Sequence, residues 1–198
     1  MHPLKVTLSK LAAAKRQIDT AVWLWFNDGD VVSIVTLAGA ALGVLDGLYQ
    51  KAKKRRPFPF DEKSIPQGLT PRDARSIVKE AENFAKHARD DADKTFDYRF
   101  DKVTAYLYCA VAAYFNFTVE HEPSGLHALF WTRYGMMHPT LHRTGLSGLR
   151  LEQVAEAERL KNLSRTEYFH ELGKKFVSAP PSPDWWPDDA HLATPPAE

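Results

Sequence analysis

The stretch Val31–Leu48, VVSIVTLAGAALGVLDGL, is the most apolar in the chain and decides how the rest is read. Ile34, Val35, Ala38, Ala41, Leu42, Leu45, Leu48 and Tyr49 recur at spacings of three and four, which on a helix makes one wide apolar face. A membrane span needs roughly 20 strongly apolar residues. Here Asp46 sits near the end, and Ala38 to Ala41 with Gly43 cluster small residues that let another helix backbone approach. The stretch therefore reads as a buried core helix, with no membrane as partner.

Upstream, Asn27, Asp28, Gly29 and Asp30 make a tight break, because these residue types tolerate turn conformations. Before it, Leu11, Ile18, Val22 and Trp25 keep helical spacing, which predicts a first helix over about residues 4–26. Two long helices joined by so short a connection form an antiparallel hairpin.

Downstream, residues 51–69 carry the basic run Lys53-Lys54-Arg55-Arg56, then Pro57, Pro59 and Pro66, and read as an exposed connection. Thr70, Pro71 and Asp73 suit the start of a third helix, with Ala74, Ile77, Val78, Ala81 and Phe84 or Ala85 on its buried face. That helix ends near His87 or Ala88, at an acidic loop holding Asp90, Asp91 and Asp93. Further helices are predicted over about 101–115, 124–137, 149–163 and 165–177. The one at 124–137 stops before Pro139, and Ser164 with Glu167 forms a capping box. No period-two pattern persists. The expectation is an all-α chain: an up-and-down helical bundle of about four main helices with shorter C-terminal ones, in one domain over 1–177. Residues 178–198 form a proline-rich tail, in which Trp185 and Trp186 are able to dock on the domain or on a partner.

The chain's 198 residues bury a core without staples, and 44% hydrophobic with 26% charged residues is a globular balance. A net charge of +1 gives no bias toward nucleic acid for the whole chain, so such a partner would use a local patch. Cys109 is the only cysteine and lies on an apolar helix face, which suits a packed thiol in a reducing, cytoplasmic setting. The first residues place charges too often for a secretory signal.

Asn83 and His87 lie four apart, hence on one helix face, with His87 in the last turn where the dipole favours a protonated ring. His87 reads either as a general acid/base oriented by Asn83 or as a helix cap. Lys51, Lys53, Lys54, Arg55 and Arg56, with Phe58 and Phe60 nearby, are a candidate RNA-binding patch or a solvated helix end. No metal site or cofactor is expected. The acidic loop lacks the glycine and terminal glutamate of a calcium loop, the lone Glu167–His170 pair has no second copy, and His121, His127, His138 and His142 read as ordinary polar positions.

The segment Ala81-Glu82-Asn83-Phe84-Ala85-Lys86-His87-Ala88, after the hairpin with Ser33 to Ala41, resembles an uncharacterised bacterial helical family that is itself similar to the HEPN superfamily. The resemblance covers about residues 8–117. It implies a helical bundle, a homodimer and, in ribonuclease members, metal-independent RNA cleavage by an arginine and a histidine. Asn83 and His87 match that motif, but Glu82 stands at the arginine position, and a carboxylate does not stabilise a phosphoryl transition state. Arg89 is the candidate phosphate contact in its place. The resulting expectation is a non-catalytic HEPN-like module binding a partner protein or a small ligand. The alternative is a ribonuclease or RNA-binding protein acting through His87, Asn83 and Arg89.

Overall fold

A computed structural model describes residues 6–55, 80, 81, 83, 84, 93–118, 124–138 and 151–176, the last segment by backbone alone at 151–155 and 174–176. Six helices are described: α1 (Lys10–Phe26), α2 (Val31–Lys51), α3 (Phe100–Phe117), α4 (Gly125–Met137), α5 (Leu151–Asn162) and α6 (Arg165–Phe176). Residues 80, 81, 83 and 84 are also helical, and no strand occurs among the described residues. The protein is all-α.

α1 begins at Lys10, later than the periodicity predicts. Ser9 takes the N-cap, its side chain accepting the Ala12 N–H at 3.0 Å, and Val6 and Leu8 before it stay exposed. At the other end Asp28 adopts a left-handed φ of 52° and the Gly29 N–H returns to the Leu24 carbonyl at 2.8 Å. A Cβ on Gly29 would stand 2.7 Å from Leu24 Cδ2, so the reversal has no room for a side chain there. Asp30 then caps α2, accepting the Ser33 N–H at 2.7 Å. The loop that reverses the chain thus also closes one helix and opens the next.

α2 packs on α1 and on α3, burying Ile34, Val35, Ala38, Ala41, Leu42 and Leu45, as its apolar spacing requires. By length and composition it could cross a bilayer, yet this face lies in the protein core. Its other side is open: Val32 is 39% exposed, and a Cβ on Gly43 or Gly47 would meet nothing within 4 Å outside the helix.

α4 packs on α1, α3, α5 and α6, and α6 also reaches α1. One contiguous core runs through all six helices, from Ile18, Val22 and Phe26 to Leu129, Phe130, Leu160 and Tyr168. Each fully buried large side chain of this kind contributes about 1.5–3 kcal/mol over its exposed state. Cys109 is buried as its helix face predicts, and burial pushes its thiol up to about 12.

Two arginines close helix ends in this core. Arg165, at the start of α6, donates to the Trp25 carbonyl at 2.7 Å, bonds Asp28, and lies 3.9 Å from the Phe100 ring centroid. Thr166 beside it donates to the Phe26 carbonyl at 3.2 Å. The last carbonyls of α1 therefore find partners on a helix far away in sequence. Arg133, 4% exposed, does the same after α5, donating to the Leu160 and Leu163 carbonyls at 2.5 and 2.6 Å.

Candidate functional site

The exposed end of α2 is built as a helix stop. Lys53 takes a left-handed φ of 53°, its N–H returning to the Gln50 carbonyl and that of Lys54 to the Tyr49 carbonyl, each at 3.1 Å. This pair of bonds is the usual closure of a helix, made here with lysine where glycine is commoner. Lys54 then donates to the Phe117 carbonyl at the end of α3 (3.1 Å) and sits 4.9 Å above the Phe117 ring. One of the candidate RNA contacts thus serves the C-terminus of a neighbouring helix, where a cation is favoured. Lys51, Lys53 and Arg55 are exposed beside it. Arg56, Phe58 and Phe60 lie outside the described residues.

Asn83 is exposed, one turn along from Glu80. Ala81 and Phe84, expected on the buried face, are partly covered: the Tyr98 hydroxyl donates to the Ala81 carbonyl at 3.3 Å, and the Phe84 and Phe96 rings stack at 5.3 Å. Burial and then the Asp30 charge raise the Tyr98 phenol above its usual range. Between these residues, Val35 and the first turns of α3 lies a cavity of about 20 Å³, also lined by Val103 and Tyr106. That is room for about one water. Its rim charges are paired, Lys102 with Glu80 at 3.9 Å and Arg99 with Asp101 at 2.8 Å. His87 and Arg89, the remaining members of the candidate catalytic set, lie outside the described residues, as do Asp90 and Asp91 of the acidic loop.

A third group was not visible as a site in the sequence. Asp19 of α1 is buried, and its Oδ1 accepts the Ser124 hydroxyl at 2.6 Å while standing 2.9 Å from Nε2 of His127. Its other oxygen, Oδ2, accepts from Lys15 at 3.2 Å. The His127 ring is fully buried, flanked by the Tyr114 and Phe115 rings at 5.1 and 6.1 Å. The 2.9 Å approach does not meet hydrogen-bond geometry, and neither ring nitrogen of His127 has a hydrogen-bond partner. Burial alone would raise the Asp19 carboxyl. The facing His127, then Lys15 and the Ser124 hydroxyl, outweigh it and hold the carboxyl below its ordinary range. Ser124 also caps α4, accepting the His127 N–H at 3.2 Å.

His127 therefore is no ordinary polar position, as its sequence context had suggested. Aspartate, histidine and serine meet here, but the hydroxyl points at the carboxylate and not at the imidazole, and no member is more than 5% exposed. The arrangement cannot offer a nucleophile to a substrate. What it does is hold the start of α4 on α1. A signal existed in the sequence: Asp19, Val22 and Phe26 share one helical stripe, which places a carboxylate at an apolar position.

Among the described residues no group of three or more His, Cys, Asp or Glu side chains is placed to hold a metal ion. His138 and His170 are exposed, and Glu167 is taken up by its capping box, with Ser164 N–H to Glu167 at 2.8 Å and the return bond at 3.2 Å. Compared with known proteins, the chain matches no family model, and no curated protein and no solved structure is significantly similar to it.

Proposed function

We propose that this chain is a non-catalytic helical module, HEPN-like in build, that acts by binding a partner protein and pairs with a second copy of itself in the cytoplasm. The observation that carries the reading is the open side of α2. The most apolar helix of the chain leaves Val32 exposed and keeps clear space over Gly43 and Gly47, four residues apart. Small residues at that spacing let a second helix come close, and bare apolar surface on a helix favours being covered. A partner protein fits this face better than a small ligand, because an exposed helix side is not the concave pocket that a small ligand needs.

The open space supplies a clean test. Gly43→Arg and Gly47→Arg put a charge on this face without displacing any neighbour, so helicity and melting temperature should stay as in the parent. Association, read by sedimentation or by light scattering across a concentration series, should fall. A folded variant that associates as the parent does, or a parent that is monomeric at every concentration and binds no protein through this face, ends the reading.

The alternative keeps RNA as the ligand, on the exposed Asn83 and on the exposed Lys53 and Arg55 with Lys54 and Arg56. His87 would then be general acid/base, Asn83 its orienter and Arg89 the phosphate contact. Metal-independent cleavage of RNA by the parent chain that disappears in His87→Ala would put this alternative in place of the first reading.

A further inference from the structure

A continuous row of rings runs along the seam between α3 and α4. Phe115 meets Trp131 edge-on at 5.2 Å, Trp131 stacks on Tyr108 at 4.9 Å, Tyr108 on Tyr134 at 4.2 Å, and Tyr134 tilts against His138 at 4.4 Å. Tyr134 is buried. Tyr108, Phe115 and Trp131 are only partly covered, and Met137 and His138 at the far end are exposed. One turn away on the same helix faces stand small residues, Ala112 on α3 and Ala128 and Gly135 on α4, so ring ridges alternate with low points. Aromatic ridges of this kind are what extended, proline-rich segments dock on, because such segments are stiff before they bind and lose little freedom on binding.

We propose that the occupant is this chain's own segment 180–187, Pro-Pro-Ser-Pro-Asp-Trp-Trp-Pro, lying along the row. Residues 177–198 are outside the described residues, but the place where they leave the domain is fixed. They follow α6, which packs on α4. Eleven residues lead from Phe176 to Pro187, and at about 3.1 Å each they span roughly 34 Å. A helix is about 10–12 Å across, so the segment crosses α4 and reaches the seam beyond it. Charge agrees with that placement. Asp184, Asp188 and Asp189 flank the two tryptophans, and the Phe115 end of the row lies within a turn of the C-terminus of α3, where Lys54 donates to the Phe117 carbonyl. Tethering holds the segment at an effective concentration of about millimolar, so a weak contact is enough to fill the row, and an untethered competitor has to displace it.

The proposal does not rest on the binding reading, because the open side of α2 takes no part in it. Its test is paramagnetic broadening in the full chain, with a nitroxide on Thr132→Cys, exposed beside Trp131, while Cys109 stays buried and unlabelled. The indole N–H signals of Trp185 and Trp186, assigned by single replacement with phenylalanine, should lose most of their intensity, and the loss should not change on dilution. A nitroxide on Gly43→Cys, on the open side of α2, should leave them sharp. Tyr108→Lys, which sets a cation in the middle of the row, should restore the signals in the Thr132-labelled chain. Sharp indole signals with the label at Thr132, equal broadening from Gly43, persistence of the broadening in a folded Tyr108→Lys chain, or broadening only between a labelled copy and a separate isotope-enriched copy would each overturn the proposal. If Tyr108→Lys does not fold, the two label positions still decide the matter.

Discussion

Replacing Arg133 by methionine should destabilise the chain substantially, although the guanidinium touches no carboxylate in the described structure. Methionine keeps the apolar stem and removes the fork. Two bonds go, to the Leu160 and Leu163 carbonyls, and the contact over the Tyr168 ring at 4.9 Å goes with them. A hydrogen bond to a charged group contributes about 1.5–3 kcal/mol, and a buried carbonyl left without a donor costs about 1–3 kcal/mol. Against this, a 4% exposed guanidinium no longer has to be desolvated, which returns several kcal/mol. The balance comes to about 2–4 kcal/mol of lost stability. For a chain of this size that lowers the melting temperature by roughly 5–15 °C. Urea unfolding followed by far-UV circular dichroism, with an unchanged denaturant slope, measures it directly. Arg133→Lys, which retains the charge and one donor direction, should fall between the two. A methionine variant within about 0.5 kcal/mol of the parent would show that the carbonyls at the end of α5 find other donors, and that the arginine is not what closes that helix.

Three further outcomes follow from local geometry. Burial pushes Tyr49, Tyr134 and Tyr168 up to about 12. Since an unfolded tyrosine ionises near 10, the stability these phenols carry is complete below about pH 10 and is lost as pH rises toward 12, so an absorbance titration should show a late tyrosine class whose ionisation coincides with unfolding. Gly29→Ala should cost about 1–3 kcal/mol in thermal unfolding, because the new Cβ meets the Leu24 side chain and carbonyl at 2.7–3.1 Å; an unchanged midpoint would mean the turn yields easily. The Cys109 thiol, buried and raised to about 12, should be inert to an aromatic disulfide reagent in the folded chain and react fully in denaturant; prompt native-state labelling would contradict its burial.

Helix positions were legible because they are set locally. Ser124 and the Ser164–Glu167 box mark the starts of α4 and α6 by bonds to backbone groups within three residues. The turn at Asn27 to Asp30 is equally local, and the apolar stripes of α2 and α3 follow from side chains that must share a face. The periodicity read from Leu4 put the start of α1 too early, whereas the Ser9 hydroxyl accepting the Ala12 N–H opens the helix at Lys10. The candidate site was less legible. Asn83 and the cations after α2 were singled out by residue type alone, whereas the engagement of Lys54 with the Phe117 carbonyl joins residues 63 apart in the chain.

Composition and spacing by themselves determined that this chain is helical, where most of its helices start and stop, and which faces turn inward. Only the tertiary structure decided what the buried polar groups do. Asp19 and Ser124 are 105 residues apart, and Arg165 reaches the Trp25 carbonyl across 140. A charged residue on an apolar stripe announces that it will be buried and needs a partner, because leaving it unpaired in a dry interior is too costly. Which partner meets it depends on how whole helices pack, and no local pattern encodes that.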